Sequence, residues 1–475
     1  MKKLSTLLLL GLVSMNLSAQ KMTKDKKAVV ASVEKHKENL IKISDSIWAL
    51  AETAFEESIS AELLADYAEE NGMTVTRGVA NIPTAFVATY GSGKPVISVL
   101  GEFDALPGLS QNTVPTKDPR IEGEPGHGCG HNMFGAASLG AAIAIKEQIE
   151  AGNIKGTVKF FGTPAEEKFF GKVWMVEAGL WDDVDVNVSW HPSAEIEADV
   201  QSGLALVDFM VEFYGQAAHA SADPWNGRSA SDALELYTTG INYYREHIRP
   251  SSRIHYHIQD GGQVVNVVPD YARLWVRVRD PKRDVMLPTF ERVKAMAEGA
   301  AIMANVDYKY SLISGIYETL VNREGGKIMQ NNLELLGPIT YTEEEEAYGK
   351  AIQEATGKPQ VGMDGEVHPL KETEKLPGGG STDVGDVSWN VPNINLGVTV
   401  APKDTPWHSW AVVACGGMSI GHKGMVYASK AMGMTMLDLF EDPKLVEKVK
   451  EEYKTRKGDV KYEAMIDGPP PIPGK

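Results

Sequence analysis

Cysteine is nearly absent: Cys129 and Cys415 are the only two in 475 residues. That is too few to staple a chain of this length, which can build a core without stapling. One disulfide between them stays formally open, but Cys129 sits in a setting that suits a metal-bound thiolate better. Positive charge is also scarce. With 47 lysines and arginines against 64 acidic residues, the net charge of -17 repels phosphates and argues against a nucleic-acid partner. Beyond the amino terminus no apolar stretch reaches the ~20 residues of a membrane span, and no internal repeat is found.

What is there reads as globular, with 43% hydrophobic and 23% charged residues. The length implies two domains, or one domain carrying a large insertion. Met1-Lys2-Lys3, the apolar run Leu7 to Val13 and the small residues before Gln20 form the three zones of a secretory signal. Cleavage is expected after Ala19, giving an exported protein, periplasmic or extracellular. No cysteine follows the apolar run, so lipid anchoring is not supported.

Leu40, Ile43, Ile47 and Leu50 recur at helical spacing, and Ile59 to Tyr67 form a second amphipathic run. Strands are expected at 85–90 and 96–100, joined by the turn Gly91 to Lys94, then at 157–161 and 184–188, with a buried helix over 132–150. This alternation predicts an α/β fold in three layers, with functional residues on loops after the carboxyl ends of strands. Between Leu204 and Ser314 the order becomes strand, helix, two strands, helix, closed by a last strand near Tyr308. The expected organisation is a signal peptide at 1–19, a catalytic domain at 20–203 and 315–475, and an inserted α+β satellite domain at 204–314 serving dimerisation or as a lid.

Four places carry chemistry. Gly126-His127-Gly128-Cys129-Gly130-His131-Asn132 sets a thiol and an imidazole two residues apart in a glycine-rich turn before a helix, where both can converge on a metal. Pro164-Ala165-Glu166-Glu167 follows a strand; in a loop, one carboxylate can bind metal while its neighbour accepts a proton from water. His191 follows the strand ending at Ser189-Trp190, and His408 comes late in the chain after the strand expected at 395–400. Each alone fits a packed or surface residue, and Glu-Glu alone is usually a solvated turn. Together they offer sulfur, nitrogen and oxygen, the donor set of a metal centre. Gly378 to Asp383 can present backbone N–H groups from Gly380 and Ser381 to a substrate carboxylate, or be a flexible linker.

The set Glu102-Phe103-Asp104-Ala105-Leu106-Pro107, His127 to His131, Pro164 to Glu167, Trp190-His191 and Trp407-His408 resembles the amidohydrolase branch of the aminoacylase and carboxypeptidase G metallopeptidases. Gly380-Ser381-Thr382-Asp383-Val384-Gly385-Asp386 with His131-Asn132 narrows this to proteins similar to the B-type component of aminobenzoyl-glutamate hydrolase. The resemblance implies two divalent ions, zinc or manganese, bridged by Cys129 and completed by His131, Glu167, His191 and His408. Glu166 becomes the general base, and Asp104 orients a histidine ligand. It also implies that His219 reaches the active site of a neighbouring subunit, with Asn266 touching substrate, so a homodimer, or a heteromer with a related subunit, is expected. The substrate is then a small amide bearing a carboxylate. Asn132 stands where many relatives have aspartate, which leaves the substrate open, and an export signal favours peptides or N-acyl amino acids. Two rivals are a cysteine hydrolase with Cys129 as nucleophile, for which His131 is too close in sequence to be a good base, and a binding protein of the same fold without chemistry.

Overall fold

The computed structural model describes residues 21–373 and 380–474. The expected signal segment and Gly378-Gly379 lie outside the described residues. Among these, no helix is long and apolar enough to cross a membrane.

The larger sheet has seven strands: β1 (Thr74–Arg77), β2 (Phe86–Ser92), β3 (Val96–Gly101), β4 (Gly156–Gly162), β5 (Val186–Ser193), β6 (Glu197–Asp199) and, late in the chain, β11 (Asn393–Thr399). Their order is β1-β2-β4-β3-β5-β11-β6. All six residues of β3 are buried, so helices or loops cover both faces of the sheet, as parallel strands require. β3, β4, β5 and β11 run parallel and therefore end at one edge.

The short link between β2 and β3 suggests neighbours, yet β4 lies between them, antiparallel to β2 and parallel to β3. Two glycines permit the chain to cross the start of β4. A Cβ on Gly91 would stand 2.2 Å from the carbonyl oxygen of Gly156, and one on Gly156, at φ 136°, would stand 2.5 Å from that of Pro95. Gly156→Ala should therefore cost about 1–3 kcal/mol and lower the melting temperature. An unchanged melt would show that the crossing tolerates a side chain.

The helix His131–Glu150 lies on β3 and packs between the helices Lys24–Leu50 and Ser419–Glu441. Small residues bring it close: a Cβ on Gly101 would meet the Gly135 Cα at 2.8 Å. The end of β3 and the start of this helix are thereby forced together, which sets Glu102 and Asp104 beside His131.

A second, antiparallel sheet is ordered β10-β7-β9-β8, from β7 (Ala205–Tyr214), β8 (Arg253–Asp260), β9 (Tyr271–Asp280) and β10 (Asp307–Ile316). The helices Ala230–Tyr244 and Arg283–Ala304 cover it, burying Phe209, Phe213, Tyr237 and Phe290 in a core separate from the larger one. The alternating burial along β9 is that of a sheet with one covered face.

Candidate metal centre

The parallel strands deliver their ends to one place. Glu102 and Asp104 follow β3, Glu166 and Glu167 follow β4, and the turn Gly126–Gly130 brings in Cys129 and His131. His191 does not follow its strand as expected but lies within β5, third from its end, because pairing with β11 continues to Ser193. His408 is tied to the cysteine turn by a hydrogen bond from its N–H to the Gly128 carbonyl, 3.0 Å. Ala165 and His408 both adopt left-handed backbone, at φ 63° and 55°. Such strain, about 1–3 kcal/mol for each, is held here by the Ala165 N–H bond to the buried Glu57 carboxylate at 2.9 Å and by the Gly128 tie.

Ligand atoms of Cys129, His131 and His191 lie within 4.8 Å of one another, and so do those of Cys129, Glu167 and His408. Cys129 is common to both sets, the position of a bridging ligand. Its Sγ is 3.4 Å from His191 Nε2, and His408 Nε2 is 3.6 Å from Glu167 Oε2. The ring protons are assigned by neighbours that accept. His131 Nδ1 faces Asp104 Oδ1 at 2.9 Å and His191 Nδ1 faces the Pro192 carbonyl at 2.7 Å. Each ring thus keeps Nε2 for a metal. Asp104 also accepts the Glu167 N–H at 2.9 Å, so one carboxylate sets two candidate ligands. His127, inside the same turn, instead places Nε2 on the Ile47 carbonyl at 3.0 Å and anchors the turn to the first helix.

The electrostatics call for cations. Burial raises the Cys129 thiol, and Glu167 adds to it. Burial pushes Glu167 up to about 7, with Asp104 and Glu102 reinforcing and His131 opposing. Burial, then Glu102, Glu167 and Asp383, hold Glu166 well above the usual carboxylate range. His191 is depressed to about 4 by burial and by His131. Glu167 Oε1 is buried without a hydrogen bond, His131 Nε2 faces the Glu102 carboxylate at 3.0 Å, and a buried anionic cluster is normally paired or holds metal. The donor set, thiolate, three imidazoles and a carboxylate, fits two divalent ions of the borderline class.

A cavity of about 760 Å³ opens beside the cluster, lined by Cys129, Glu166, Glu167, His191 and His408 and by Gly380, Ser381 and Thr382. Its lining also includes Arg277, paired to the buried Asp208, and Arg279, both on β9. Those two arginines were missed in the sequence; the basic alternation Arg273, Arg277, Arg279 on one strand was their only signal. His219 and Asn266 do not line this cavity. Their loops pair with each other, through a bridge between His219 and Val267, and His219 is solvent-accessible with Nδ1 on its own loop's N–H groups. Asn132 is structural, donating to Ser44 Oγ at 3.0 Å and to the Gly416 carbonyl.

Residues 99–468 match the profile of peptidase family M20/M25/M40. The chain belongs to this family. It is 39% identical over 453 residues to the B-type component of p-aminobenzoyl-glutamate hydrolase from Escherichia coli, covering 89% of this chain and 93% of that protein. It is 27% identical to the Xaa-Arg dipeptidase of Mus musculus, covering 92% and 94%. Two solved structures share the fold. An aminobenzoyl-glutamate utilization protein from Klebsiella pneumoniae gives a TM-score of 0.57 at 19% identity, covering 84% of this chain and 96% of that one. A dinuclear metal-binding peptidase of the M20 family from Bacillus subtilis gives 0.55 at 18%, covering 86% and 99%. The protein is a metal-dependent amidohydrolase of the M20 type, with an α/β fold in which a second, smaller sheet is set into the chain of the first.

Proposed function

We propose that this M20 hydrolase cleaves the amide bond of a small N-acyl amino acid or dipeptide with a free carboxylate, aminobenzoyl-glutamate among them. The observation that carries the reading is the sharing of Cys129 between two ligand groups at the floor of one cavity. Cys129, His131 and His191 would hold one divalent ion, and Cys129, Glu167 and His408 the other. Zinc and manganese both suit these donors. When bound, such ions acidify water and stabilise negative charge developing on the scissile carbonyl.

The chain's own residues do the rest. Glu166, in the cavity wall, takes a proton from the attacking water and delivers it to the leaving nitrogen. Asp104 holds His131 and Glu167 in place. Arg279 brings positive charge to the cavity lining, with Arg277 beside it paired to the buried Asp208, and Ser381 adds a polar group, which together suit a substrate carboxylate. Burial of Cys129 and the rise of its thiol disfavour the cysteine-nucleophile alternative.

His219 and Asn266 sit on one exposed loop pair, disposed to serve a neighbouring subunit; a homodimer, or a heteromer with a related subunit, completes the proposal. The amino-terminal residues support export to the periplasm or beyond. The test is a screen of N-acyl amino acids, dipeptides and aminobenzoyl-glutamate with metal-stripped protein, then with zinc or manganese added back. Turnover should appear only with metal and only for substrates with a free carboxylate. Activity that survives complete stripping and yields to a thiol reagent would favour the cysteine mechanism.

A further inference from the structure

The helix Gly171–Glu177, just beyond the Glu166-Glu167 loop, buries a lysine completely. Lys172 Nζ lies 2.6 Å from Glu102 Oε1 and 2.6 Å from Asp383 Oδ1, and all three side chains are at most 1% exposed. The Lys172 backbone N–H also donates to Asp383 Oδ2 at 2.9 Å, so Asp383 is gripped at both carboxylate oxygens by one residue.

Stability alone is a poor reason for this arrangement. Burying an ammonium and two carboxylates costs several kcal/mol per ion, and apolar replacements of such groups often fold as well. Both arms of the lysine end at the active site. Glu102 presents its other oxygen, Oε2, 3.0 Å from His131 Nε2, and ligand atoms of Glu102, His131 and Glu166 lie within 4.8 Å of one another. Asp383 heads the helix Val384–Asn390, where an aspartate ordinarily caps backbone N–H groups. Here its side chain makes no cap bond and is given over to Lys172. Immediately before it, Gly380, Ser381 and Thr382 line the cavity.

We propose that Lys172 is a positioning residue that joins the two halves of the site, holding Glu102 against the His131 side of the metal centre and Asp383 beneath the Gly380–Thr382 substrate loop. It rests on the hydrolase reading above, and deepens it by naming what keeps metal side and substrate side in register. Each arm can be cut separately. Asp383→Asn keeps the Glu102 arm and should raise KM at least about tenfold with metal retention unchanged. Glu102→Gln keeps the Asp383 arm and should weaken metal retention at least about tenfold, because it removes a negative charge beside the ring nitrogen that the ion would take, with KM at saturating metal close to the parent's. Lys172→Met should do both.

Zinc affinity is measured by competition with a chelator, without substrate, and KM and kcat are measured separately at saturating zinc. If Lys172→Met fails to fold, the two single-arm variants still decide. Folded variants with parental zinc affinity and parental KM would overturn the proposal and leave Lys172 as a filler of the core. Should no substrate be found for the parent, the function reading fails, while zinc affinity in Glu102→Gln and Lys172→Met still tests the metal arm.

Discussion

Replacing Glu166 with glutamine is expected to lower kcat by about 10²–10⁴-fold while bound metal and KM stay near parental values. The substitution keeps shape and removes only the proton acceptor. Glu166 is 7% exposed in the cavity wall, and its neighbour Glu167, not Glu166, shares a ligand group with Cys129 and His408. In the proposed mechanism the two adjacent glutamates divide the work: one is fixed by Asp104 through its backbone N–H, and the other, beside Glu102 and His131, carries a proton. Steady-state kinetics beside metal analysis of the same preparation check this. A variant that hydrolyses at the parental rate would remove Glu166 from the reaction, and one that loses metal would make it a ligand.

Cys129→Ala is expected to strip both ions and reduce turnover to background. Only Cys129 belongs to both ligand sets, so its loss takes one donor from each site and removes the negative bridge that would hold two cations close together. Burial raises its thiol, so the thiolate is favoured only with a cation present, and protein and metal depend on each other. Metal analysis after desalting should find bound metal near background. The cysteine-nucleophile alternative expects the opposite pattern, dead enzyme with its full metal content.

The residues that the fold brings together at the candidate metal centre were legible in the sequence because metal binding needs rare side chains in unusual company. A thiol and an imidazole between glycines, or two glutamates after Pro164, stand out whatever the surrounding fold. Their placement after parallel strands follows from alternating strand and helix patterns, and only His191, inside β5, departs from it. What stayed hidden depends on distant partners. Lys172 looks like an ordinary helix lysine until Glu102 and Asp383, the latter 211 residues away, enclose it. Likewise, nothing local in β2 or β3 says that β4 will come between them, since strand order is decided by pairing across long stretches of chain.

The smaller sheet leaves and rejoins the larger unit through β7 and β10, which are paired side by side, Leu206 opposite Ile316 at the junction. Arg283 braces the same junction from the following helix, its N–H on Glu318 and its guanidinium over the Tyr317 ring. Leu206 belongs both to this junction and to the cavity lining, and β9, which carries Arg277 and Arg279, is bonded to β7 along its length. The strand that leaves the larger unit thus also carries the basic side chains to the cavity, so the seating of one ribbon fixes how far they stand from the candidate metal centre.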